Sequence, residues 1–159
     1  MKLFHGSNMA IDSIDLSRSH RGKDFGCGFY LSDNYEQAFR MACLTVERTE
    51  SGTPIVTSFE ISDDALNDKD INIKRFDTYT VEWAEFVLAN RNNKSHDNVH
   101  PFDIVIGPIA NDKVGVQIRR YLLGDITVEQ LVAELQFRQG ITFQYFFATE
   151  KAINLLKRL

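Results

Sequence analysis

Asp24-Phe25-Gly26-Cys27-Gly28-Phe29-Tyr30-Leu31-Ser32 is the stretch on which the reading of this chain turns. Phe29 to Ser32 has the composition of a short strand, entered through glycines at alternate positions. Without a Cβ, Gly26 and Gly28 let the backbone pass close to a flat partner, and Tyr30 then offers a ring face for stacking. The same residues also fit a glycine-bulged strand whose aromatics fill a core. Upstream, Lys2-Leu3-Phe4-His5 reads as a strand stopped by Gly6-Ser7, bringing an imidazole, a bare backbone and a hydroxyl together within three residues. That arrangement suits a planar carboxamide, and equally a plain surface turn.

Downstream, Asp33 and Glu36 give the reciprocal capping signature of a helix running to about Thr49, broken by Ser51-Gly52-Thr53-Pro54. Pro54 to Ile61 alternates as a half-buried strand, and a short strand is expected at 71–73. A helix is predicted over 80–91 around Trp83, and Asp103 to Pro108 reads as a buried strand. Val114 to Leu122 fits a helix closed by Gly124, and Thr127-x-x-Gln130 opens another that ends before Gly140. Ile141 to Ala148 reads as an aromatic strand, and Thr149 to Leu159 as a final amphipathic helix. Strands and helices mix without βαβ alternation, which defines the class as α+β.

The 159 residues suit a single domain spanning 1–159. Hydrophobic residues make up 43% and charged residues 25%, which excludes a disordered or fibrous chain. A net charge of −4 argues against a broad duplex nucleic-acid footprint and leaves room for a local basic rim. Cys27 and Cys43 form no ligand spacing with the scattered histidines, so no metal site is expected. The sequence shows no signal-peptide run and no apolar stretch of membrane-spanning length, and a cytoplasmic location without membrane partners is the expectation.

In order, His5-Gly6-Ser7 and Asp24-Phe25-Gly-x-Gly-Phe-Tyr30-Leu-Ser-Asp resemble the NAD-binding half of the ADP-ribosyltransferase superfamily, in its His-Tyr-Glu branch. Three later segments extend the likeness: Glu82-Trp83-x-x-Phe86-Val87-x-x-Asn90-Arg91, Asp103-Ile-Val-Ile-Gly-Pro-Ile-Ala110 and Gln144-Tyr145-Phe-Phe-Ala-Thr-Glu-Lys-Ala152. Together they resemble a small bacterial branch catalogued as DUF3990. The resemblance implies two packed, mainly antiparallel sheets with flanking helices and a cleft for NAD as substrate. It also implies that Gly6 holds the nicotinamide carboxamide through its backbone, His5 a ribose hydroxyl, and Tyr30 the nicotinamide ring. Ser7, Phe25 and Gly28 belong to the same NAD-contacting segments.

The family's third residue, a Glu, matches Gln144 here. A carboxylate at that point stabilises positive charge on the ribose as nicotinamide leaves, and an amide forms hydrogen bonds without supplying charge. Losing one such contact costs about 3–4 kcal/mol of barrier. Chain elongation is therefore not expected, and single transfer stays open. Glu150, Glu82 and Glu85 read as ordinary helix charges. Asp24 fits either a turn or a cleft carboxylate. Arg18, His20, Arg21 and Lys23 form a basic loop, of which Arg18 and Arg21 have the geometry to grip a pyrophosphate.

The resemblance leaves two main functions open, besides another enzyme type on the same fold such as an NAD glycohydrolase. One is an NAD-dependent mono-ADP-ribosyltransferase, a glycosyltransferase with a protein or nucleic-acid acceptor, in a toxin–antitoxin setting with an antitoxin protein as partner. The other is a catalytically weak NAD-binding or interaction module of the same fold. Of the twelve phenylalanines, Phe4, Phe25, Phe29, Phe143, Phe146 and Phe147 flank His5, Tyr30 and Gln144. Alternation puts Phe143 and Phe147 in the core and Phe146 at the site wall.

Overall fold

The computed structural model describes residues 1–110, 112–136 and 141–159. Its backbone is one seven-stranded mixed sheet in the order β4-β5-β6-β2-β1-β3-β7. The strands are β1 (Lys2–Ser7), β2 (Phe29–Ser32), β3 (Ile55–Glu60), β4 (Ile73–Arg75), β5 (Ile104–Pro108), β6 (Phe143–Phe147) and β7 (Lys157–Arg158). β4 and β5 run parallel and every other pairing is antiparallel. The expectation of two packed sheets is thus corrected. A bridge between Phe4 and Ser32 joins β1 to β2 and makes the strands continuous. Every residue of β1, by contrast, pairs along β3, from Lys2 opposite Glu60 to Ser7 opposite Ile55.

Helices α1 (Tyr35–Thr49), α2 (Val81–Asn92), α3 (Asp112–Leu122) and α4 (Val128–Gln136) account for most of the helical residues. Asn34, not Asp33, caps α1, its side chain accepting the Gln37 N–H. Thr80 caps α2 through the Trp83 N–H. The expected continuation of α4 towards Gly140 falls outside the described residues.

Alternation along β2 and β6 sorts the core. Tyr30 lies opposite Phe146 and Ser32 opposite Gln144, so these four side chains share one face. On that face Phe25, Phe76, Trp83, Val87, Ile118, Leu131 and Phe146 form one buried cluster. α1 covers the same face over β1, where Phe4 meets Tyr35 edge-on at 5.5 Å. The opposite face packs Leu3, Leu31, Phe59, Ile61, Ile104, Ile106 and Phe147 beneath the loops and the chain's end. Phe147 is core as expected, Phe143 is only partly buried against this second cluster, and Phe146 is fully buried behind Tyr30 instead of forming a wall.

Two local expectations give way to tertiary contacts. Gly6-Ser7 continues β1 instead of stopping it, because β3 supplies a full ladder of partners. The final amphipathic helix is only one turn, α5 (Glu150–Ile153), capped by Thr149. Leu155 and Leu156 pack into the second cluster, and Lys157–Arg158 pair with Glu60 and Phe59. An edge strand awaiting a partner outweighs helix propensity over so short a segment.

Candidate functional site

The segment 25–28 precedes β2 without being part of a strand, so its peptide groups need partners from elsewhere. Remote side chains supply them. Tyr30 Oη accepts the Phe25 N–H at 3.1 Å and donates to the Gly26 carbonyl at 2.7 Å. His100 Nε2 donates to the Phe25 carbonyl at 2.8 Å, while its Nδ1 accepts the Phe102 N–H at 3.2 Å. Asn98 clamps Cys27, accepting its N–H at 2.7 Å and donating to its carbonyl at 2.9 Å. Ser19 Oγ does the same for Gly28, at 2.8 and 3.0 Å. Gly26 has φ +100°, a conformation that favours glycine. The loop is therefore held in one shape before any ligand arrives.

Beside it lies a cavity of about 200 Å³ whose wall includes His5, Ser7, Arg18, Lys23, Gly28 and Tyr30. Ordinary small-molecule sites span roughly 300–1,000 Å³, so this volume suits part of a dinucleotide. The His5 ring stacks on Phe29 at 4.4 Å, and its Nδ1 lies 2.7 Å from the Tyr30 carbonyl. A carbonyl only accepts, so Nδ1 carries the proton and Nε2 is left as an acceptor. Burial lowers the His5 pKa from its ordinary 6.5 by more than that bond raises it, and the Lys23 charge adds to the lowering. Lys23 is itself lowered from 10.5, chiefly by burial. Its ammonium lies 4.9 Å from the centroid of the Tyr30 ring. Among the described residues Lys23 has no carboxylate partner. Asp15, the one carboxylate among the described residues of that wall, accepts the Ser17 N–H and hydroxyl at 3.0 and 2.6 Å. Tyr30 is raised well above 10.0 by burial first and then by Asp24, so its phenol stays protonated.

The other expected residues stand apart from this wall. Gly6 faces α1, where an added Cβ would sit 1.8 Å from the Ala38 carbonyl oxygen. Phe25 is fully buried against Phe76, Phe86 and Phe146. Arg21 donates to the Lys94 carbonyl. Gln144 shares a face with Tyr30 and joins a separate polar group. Its Nε2 donates to Asp24 Oδ2 at 3.2 Å and lies 3.5 Å from the Pro108 carbonyl. Asp24 also accepts from Arg91 Nε and Nη2, both at 2.7 Å, and from the Ala110 N–H at 3.3 Å. Arg91 and Ala110 in turn line a second cavity of about 470 Å³ with Arg119 and Leu122.

Sequence reasoning passed over Ser19, Asn98 and His100, the residues that hold the 25–28 loop. Their bonds reach across 9, 71 and 75 positions, and no local pattern marks them. Of the charges weighed as substitutes for a cleft carboxylate, Glu82 pairs with Lys74 and Glu150 sits in the first turn of α5.

An α+β protein with a preorganised glycine loop beside a basic, aromatic cavity is the class that fold and geometry define. The family model described as a protein of unknown function (DUF3990) matches residues 1–158, and the chain belongs to that family. No curated protein and no solved structure matches it. Among the described residues no helix is long and apolar enough to cross a membrane.

Proposed function

We propose that the chain is an NAD-dependent mono-ADP-ribosyltransferase acting on a protein or nucleic-acid acceptor, in a toxin–antitoxin setting. The observation that carries this reading is the cavity wall shared by His5, Ser7, Gly28 and Tyr30, four of the residues that the resemblance places at NAD, joined there by Arg18 and Lys23. A neutral His5 with a free Nε2 suits a hydroxyl donor such as a ribose. The Lys23 ammonium, without a carboxylate partner among the described residues, and the Arg18 guanidinium suit phosphate oxygens.

A second reading, an NAD-binding module without efficient transfer, draws on Gln144. Asp24, the carboxylate beside it, is paired with Arg91 and does not replace it freely.

Incubation with NAD labelled in its ADP-ribose moiety and with candidate acceptors tests the first reading, with nicotinamide release read in parallel. Label transfer by the wild type that is lost in His5→Ala and Tyr30→Ala supports it. Absence of transfer and of nicotinamide release, with NAD still bound, selects the second reading. Absence of NAD binding overturns both.

A further inference from the structure

The second cavity, of about 470 Å³, has the volume of an ordinary small-molecule site and shares no lining residue with the first. Much of its lining is one stripe of α3. Gly115, Ile118, Arg119 and Leu122 stand at i, i+3, i+4 and i+7 and therefore face the same way. Arg91, in the last turn of α2, and Ala110, just after β5, complete the wall with Val116.

The lining has an apolar part and a charged part. Val116 and Leu122 are 56% and 55% exposed, so a hydrocarbon laid against them would remove apolar surface from water. The charged part is two guanidinium groups, and no described residue of the lining is acidic. Arg91 engages the Asp24 carboxylate through Nε and Nη2, while its Nη1 donates to no described residue. The Arg119 guanidinium has no ion pair among the described residues. With Asp24 balancing Arg91, one net positive charge remains for an occupant. Gly115 makes the room. Glycine inside a helix is less stable than alanine, yet a Cβ at 115 would meet nothing within 4 Å. Packing gives no reason for glycine there, and the open space belongs to the cavity.

We propose that this second cavity binds a small apolar monocarboxylate, its carboxylate held by Arg119 and Arg91 Nη1 and its hydrocarbon body laid against Val116 and Leu122 beside Gly115. A guanidinium fork matches the planar carboxylate, and one net positive charge matches a monoanion better than a phosphate dianion. The proposal goes beyond the NAD reading and does not depend on it.

Calorimetric titration of the full chain with hydrocinnamate tests it, with hydrocinnamyl alcohol as the uncharged match and phenyl phosphate as the dianion. N-acetyl-alanyl-leucine stands in for the carboxyl terminus of a peptide. Hydrocinnamate should saturate the wild type with a Kd of about 1 mM or lower, and the alcohol should bind about fivefold more weakly. Arg119→Gln should weaken hydrocinnamate by about fivefold as well. Gly115→Leu should abolish binding with Tm at or above the wild type's, because the introduced side chain fills the cavity and improves the helix. No saturation by about 10 mM overturns the proposal, as does hydrocinnamate binding that survives Gly115→Leu. Should Gly115→Leu not fold, the alcohol and Arg119→Gln decide: affinities equal to that of hydrocinnamate for the wild type overturn it. Phenyl phosphate or the dipeptide binding about tenfold tighter than hydrocinnamate overturns it too, in favour of a phosphate or a peptide terminus.

Discussion

The Lys23 ammonium lies over the Tyr30 ring, 4.9 Å from its centroid, on a tyrosine whose ring also meets Phe146 at 5.0 Å. Such a contact contributes about 0.5–1 kcal/mol near a surface. That is modest compensation for an ammonium without a carboxylate partner among the described residues. The burial that lowers Lys23, with Arg48 repelling it, leaves a positive charge that an anion on the cavity wall would satisfy.

Lys23→Met keeps the stem and removes the charge. ADP-ribose, which carries the diphosphate without the pyridinium, should bind this variant about tenfold more weakly at low salt. Its affinity should also fall less steeply with ionic strength than the wild type's. Calorimetric titration at two salt concentrations checks both effects. Equal affinities and equal slopes would place the diphosphate elsewhere.

His5 makes stability depend on pH in a defined direction. Its folded-state pKa lies below the unfolded value of 6.5, because burial favours the neutral ring. The unfolded chain therefore binds more protons as pH falls, and the folded state loses ground. This contribution is complete above about 6.5 and is lost as pH falls through the folded pKa. His100 is shifted the same way by burial and adds to the trend. His5→Gln retains a donor for the Tyr30 carbonyl and does not titrate. Its Tm should change less than the wild type's between about pH 7.5 and pH 5, with the residual slope due to His100 and the carboxylates.

Tyr30→Phe separates ring from hydroxyl. The ring keeps its contacts with Phe146 and Lys23, while the Phe25 N–H and Gly26 carbonyl lose their partner in a buried segment. The expected cost is about 1–3 kcal/mol in urea denaturation. Unchanged stability would mean that water replaces the phenol in the 25–28 loop.

Gly6 carries a packing constraint that its sequence neighbours do not advertise. A Cβ there would lie 1.8 Å from the Ala38 oxygen and 2.8 Å from the Ala42 nitrogen, both backbone atoms of α1. Gly6→Ala should push α1 off the sheet at about 3 kcal/mol or more, the upper end of overpacking penalties. For a chain of this size that is a fall in Tm of about 6–12 °C. A loss of nicotinamide release in this variant would therefore report α1 as well as any carboxamide contact.

The elements legible in the sequence were those with strong local signals. α2 begins at its Thr80 cap, β5 ends with Pro108 after Gly107, and Trp83 is fully buried. The misread elements were set by partners distant in sequence. β7 exists because β3 leaves an edge open to it, and the sheet is continuous because Phe4 meets Ser32. The site divides the same way. Gly28 and Tyr30 are visible as a glycine–aromatic motif, whereas Asp24 becomes informative only when folding brings Arg91 and Gln144 to it across 67 and 120 positions.

That pairing changes what Gln144→Glu should do. On sequence alone, the substitution restores a missing carboxylate and should raise NAD hydrolysis. In the folded chain it places a second carboxylate beside Asp24, whose Oδ2 is 3.2 Å from Gln144 Nε2, with Arg91 as the cation already engaged. Residue 144 is 9% exposed, so solvent screens the pair poorly. One carboxyl of the pair must therefore hold its proton to a higher pH than it would in the unfolded chain. A carboxyl with a raised folded pKa penalises the folded state once that group is forced to ionise, so the deficit is small near pH 4–5 and grows as pH rises. Gln144→Glu should match the wild type in stability at about pH 5 and fall short by about 2 kcal/mol at pH 8. Adding Asp24→Asn removes the like charge and should flatten the difference. Urea titrations of the three proteins at both pH values check this, and a Gln144→Glu deficit that does not grow with pH would separate the two side chains.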